Sequence, residues 1–60
     1  SQGEHQVLTR QARGRSMAAI ANDISGSYKT VAADCAMLRT KLGARTSSEM
    51  IRIAVELKLV

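Results

Sequence analysis

The 60-residue chain predicts an all-α fold, a four-helix bundle with a central helix-turn-helix, and two observations carry that expectation. Met17, Ile20, Ala21 and Ile24 recur at the i, i+3, i+4, i+7 spacing of one buried helix face. After the corner Ser25-Gly26-Ser27, Val31, Cys35, Leu38 and Leu42 fall within about 40° of one another on a wheel of roughly 3.6 residues per turn. Two helices joined by a three-residue Ser/Gly corner have the layout of a helix-turn-helix.

The first helix is expected over residues 2–13. Ser1 and Glu4 have the S-x-x-E spacing of a capping box, and Gly14 supplies a left-handed stop. Val7, Leu8 and Ala12 turn inward. Gln11 lies between Val7 and Leu8 on the wheel, so it either hydrogen-bonds at the core edge or weakens the packing. His5 reads as plain surface. Arg13 and Arg15 bracket Gly14 just before Ser16, the expected N-cap of helix 2 over residues 17–24, where free amides favour an anion.

Ser27 is placed to cap helix 3, expected over residues 28–42, with a hydroxyl that can also address a phosphate. Tyr28, the chain's one aromatic residue, either packs at the corner or offers its hydroxyl to a phosphate. Opposite the apolar stripe lie Lys29, Ala32, Ala33, Ala36 and Thr40, with Met37 and Arg39 at the margins. Cys35 on the buried stripe reads as an inert core thiol. Gly43 ends this helix. Thr46-x-x-Glu49 forms a second capping box for helix 4, expected over residues 47–58. Met50, Ile53, Ala54 and Leu57 should close the core. Ile51, Val55 and Leu59 recur on another face, which would stay wet in a monomer and suits a two-fold homodimer.

Composition bounds the function. Nine Lys and Arg against five Asp and Glu give a charge of +4, with an isoelectric point near 10.0. That balance favours a polyanionic partner such as nucleic acid. One small domain of this size has no room for a catalytic cleft. It shows no paired carboxylates, no nucleophile beside a base and no phosphate-cradling loop, so neither an enzyme nor a cofactor is expected. A single Cys supplies neither a disulfide framework nor a zinc site, which suits a reducing cytoplasm. No signal peptide or membrane-length apolar run is visible. A chain this short reads as one domain, residues 1–60, cut from a longer protein.

Several motifs at fixed offsets carry a resemblance. Ile20-Ala21, Ser27-x-x-Thr30-Val31 and Lys41-Leu42-Gly43 look like the signature of the LuxR/NarL-type (GerE-like) helix-turn-helix DNA-binding domain. Ser1-x-x-Glu4-x-x-Val7-Leu8, Ala12-x-Gly14-x-Ser16 and Arg45-x-x-x-Glu49 extend the likeness over essentially the whole chain. The resemblance implies an output domain, without a wing, of a bacterial transcription regulator such as the response regulator of a two-component system. It would follow a receiver or sensor domain, bind double-stranded DNA with helix 3 in the major groove, dimerise through helix 4 and meet RNA polymerase.

The implied DNA-contacting set is Arg15, Ser27, Tyr28, Lys29, Thr30, Ala32, Ala33, Ala36, Arg39 and Lys41, with Ile51, Val55 and Leu59 at the dimer interface. The chain departs from the family where Gly26 stands one place late in the corner. Ala32 and Asp34 also occupy positions where the family usually carries Lys and often His. Alanines give no base-reading donors, so backbone contacts should dominate. A rival reading is a degenerate domain that serves as a protein-interaction module with weak or no specific DNA binding.

Overall fold

The computed structural model describes residues 2–60, and within them the chain forms four helices and no strand: α1 (Gln2–Ala12), α2 (Met17–Asp23), α3 (Tyr28–Leu42) and α4 (Ser47–Glu56). The Ser1 end of the first capping box lies outside the described residues. The other helix starts form as their sequences dictate. The Ser16, Ser27 and Thr46 hydroxyl oxygens each accept the backbone N–H three residues on, from Ala19, Thr30 and Glu49, at 3.1 Å.

All four helices stop in one way. A left-handed residue follows the last turn, at Gly14, Ser25, Gly43 and Lys58. The next residue's N–H then reaches back five positions, as in Arg15 to the Arg10 carbonyl at 3.2 Å and Gly26 to the Ala21 carbonyl at 2.9 Å. Ala44 reaches Arg39 and Leu59 reaches Ala54, both at 2.8 Å. Only two of the four left-handed positions hold the glycine that such a lock favours. The late glycine of the corner therefore has a structural counterpart: Ser25 takes φ 55°, and Gly26 lies one residue beyond the left-handed position.

α3 is the central element and packs against each of the other three helices. Its Val31, Cys35 and Leu38 meet Val7 and Leu8 of α1, Ile20 and Ala21 of α2, and Met50 and Ala54 of α4 in one core. Met17, Ile24, Leu42 and Ala44 pack around its edge. Gln11 settles at the core margin by hydrogen bonding: the buried Cys35 thiol donates to its Oε1 at 3.4 Å. Burial pushes the Cys35 pKa up, which keeps the thiol protonated.

Several expectations need correction. α1 ends at Ala12, with Ala12 half-buried, and Ile24 is the C-cap of α2. α4 ends at Glu56 because Lys58 turns left-handed, at φ 59°. Leu57 consequently stays 60% exposed and does not close the core, and Ile53 is half-buried. Leu59 follows the lock, outside the helix that carries Ile51 and Val55; it stays 42% exposed, as expected, and lines a surface pocket with Leu8, Leu38 and Leu42. No helix among the described residues is long and apolar enough to cross a membrane.

Candidate nucleic-acid interface

The outward face of α3 follows from where its core stripe points. Residues a half-turn away from Val31, Cys35 and Leu38 face solvent: Lys29, Ala33, Ala36, Met37 and Thr40 are all exposed. Two expected positions shift. Ala32 lies only about a quarter-turn from the stripe and is half-buried, while Arg39 stands at the margin, as expected, and is half-buried too. Met37, expected at the margin, is 51% exposed and sits nearer the middle of the outward face. Asp34, on the opposite flank, is half-buried.

Polar groups at the start of α3 are partly committed. The Ser27 hydroxyl accepts from the Thr30 amide and donates to Thr30 Oγ1 at 2.9 Å, which leaves the Thr30 hydroxyl proton as the outward donor. Tyr28 is more than half exposed and does not pack into the corner. Farther along, the Thr40 hydroxyl donates to the Ala36 carbonyl at 3.1 Å, inside its own helix.

The cations divide into two groups. Arg15 forms a two-pronged pair with Asp23, Nε to Oδ2 at 2.9 Å and Nη2 to Oδ1 at 2.7 Å. Arg10 Nε stands 3.8 Å from the same carboxylate. This fork ties the loop before α2 to the end of α2, holds Asp23 below the usual carboxylate range and raises the Arg15 pKa. Lys41 reaches across to α1, its Nζ 2.8 Å from Oε1 of the buried Glu4. That ammonium is the largest cause of the lowered Glu4 pKa. Arg15 and Lys41, both expected to meet phosphate, also hold helices together, and their side chains stay 48% and 55% exposed. Arg13, Lys29, Arg39, Arg45 and Lys58 make no ion pair among the described residues. Sequence spacing gave no sign of either long-range pair, because Glu4–Lys41 is separated by 37 residues and Arg15–Asp23 depends on the turn at Gly14.

On the α4 side, Ile51 is half-buried and Val55 is 56% exposed, on a flank turned away from Met50 and Ala54. No group of three or more metal-ligating side chains occurs among the described residues.

The family model of bacterial regulatory proteins, luxR family (GerE), matches residues 1–54. The chain belongs to the luxR family. No significant match appears among curated proteins or among solved structures. The four-helix, strandless architecture is that of a luxR-type helix-turn-helix domain, with α2, the Ser25–Ser27 corner and α3 forming the motif. The family is one of DNA-binding transcription regulators. In this luxR-family chain the expected recognition helix is solvent-facing, and its alanines at 33 and 36 are not packed beneath other parts of the chain.

Proposed function

We propose that this chain binds double-stranded DNA by laying the outward face of α3 in the major groove. The reading rests on the uncovered face from Lys29 to Thr40, lying between the Ser27 cap and the Gly43 lock in a domain carrying +4. α3 is 15 residues long, about 22 Å at ~1.5 Å per residue, a rod of the size the groove admits. Lys29, with the Thr30 hydroxyl and Tyr28, meets phosphates at the start of the helix, and the unpaired Arg13, Arg39 and Arg45 add to the field around it. Arg15 serves indirectly, by fixing the loop before α2. A homodimer through Ile51 and Val55 of α4 presents two such rods to successive grooves.

The test is anisotropy titration of the 60-residue chain with random and enriched duplexes across a salt series. The reading expects affinity that falls linearly on a log–log plot with added salt. No duplex binding even at about 50 mM salt would remove it. One observation favours the protein-interaction alternative: Ala36, Met37, Thr40 and the stem of Lys41 line a shallow apolar depression on the same face. Association with a partner helical domain, without duplex binding, would establish that alternative.

A further inference from the structure

The middle of the outward α3 face is chemically unusual for a base reader. Ala33 and Ala36 have no polar side-chain atom, Met37 has only a thioether, and the Thr40 hydroxyl is spent on the Ala36 carbonyl at 3.1 Å. Lys41, at the end of the face, is held by Glu4 at 2.8 Å. Across two turns the helix offers methyl and methylene groups and no donor able to reach a base edge. At its start stands Lys29, a cation with no acid partner among the described residues.

A major-groove base edge set against such a surface loses water without gaining a partner. G·C and A·T pairs each present three polar groups there, so this loss alone does not tell them apart. The apolar feature in the groove is the thymine 5-methyl group. Resting on the major-groove reading above, we propose that Ala33, Ala36 and Met37 read thymine methyls. The preferred half-site then has thymines, on either strand, at the centre of the α3 footprint. Lys29 anchors the phosphate at one end of that footprint. The apolar depression bounded by Ala36, Met37 and Thr40 receives a methyl, and the flexible Met37 thioether closes over it.

The test begins with duplexes enriched from a random pool by the 60-residue chain. Each thymine of the enriched site is replaced in turn by deoxyuridine, which removes the methyl and leaves every hydrogen-bonding group in place. Burial of one methyl corresponds to about a fourfold affinity change. Two or three central positions should each weaken binding by about that factor, with an unchanged salt slope. Met37→Ala should abolish the deoxyuridine effect at one of them. Equal binding of thymine and deoxyuridine duplexes, or an enriched site with no central thymine, would overturn methyl reading while leaving DNA binding intact. Absence of duplex binding at low salt would overturn both, so the two failures are distinguishable.

Discussion

Lys29 and Lys41 share one helix and differ in what holds them. Lys29 is exposed and makes no ion pair among the described residues, whereas Lys41 donates to the buried Glu4 at 2.8 Å. Counterion release scales with the phosphates a protein neutralises, so Lys29→Ala should lower the slope of log affinity against log salt by about 1. Lys41→Ala should leave that slope nearly unchanged, and an equal drop in both variants would show that the ion pair opens on DNA. The pair acts instead on stability. Glu4 has its folded pKa lowered from 4.5 to about 2. Its contribution is therefore present above the unfolded value and lost as pH falls between 4.5 and about 2. Asp23, lowered by Arg15, acts in the same direction. Thermal midpoints of Glu4→Gln should fall less steeply through that window than those of the parent chain; parallel curves would deny the pair its role. Reading at this scale succeeded for residues whose role is local, such as the Ser16, Ser27 and Thr46 caps. The pairing of Arg15 with Asp23 and of Lys41 with Glu4 was not legible, because a cation's partner is set by tertiary contact, which spacing alone does not encode.

Among the elements, helix starts were more legible than helix stops. A cap hydroxyl bonds three residues away, so its signal sits within one turn of sequence, and three such caps form as expected. A left-handed stop is legible only when glycine marks it. Gly14 and Gly43 announced theirs, whereas Ser25 and Lys58 adopt the same conformation unannounced. The overestimated length of α4, and with it the misplacement of Leu57, follows from the second of these. Ser25 at φ 55° carries a steric cost that glycine would not have. Ser25→Gly should stabilise the domain by about 0.5–1 kcal/mol, read as a higher urea midpoint at unchanged m-value. Gly43→Ala should do the reverse by about 1–2 kcal/mol. An added Cβ there meets nothing within 4 Å, so the loss would be purely conformational. A lower midpoint for Ser25→Gly would mean that the corner depends on the serine.

At the scale of the molecule, the longest extent is 28 Å, less than the 34 Å or so that separates successive major grooves on one side of DNA. One copy therefore reaches one groove segment, and reading a paired site requires two. The surface that could join them is apolar and lies on α4, where Val55 is 56% exposed and Ile51 half-buried beside it. In the sequence Leu59 continues their i, i+4, i+8 spacing. The lock at Lys58 instead carries it toward Leu8, Leu38 and Leu42, so the two sites should respond differently to a charge. Ile51→Glu with Val55→Glu is expected to give a folded monomer by sedimentation, with helical content retained and affinity for paired half-sites reduced toward that for a single half-site. Leu59→Glu places a carboxylate in a pocket lined by three leucines and by the Glu4–Lys41 pair, where it competes with Glu4 for Lys41, so it should lower the thermal midpoint while the folded fraction still associates. A dimer persisting in the double variant would move the interface off α4. Loss of association in Leu59→Glu at full stability would place it at the chain's C-terminal turn instead.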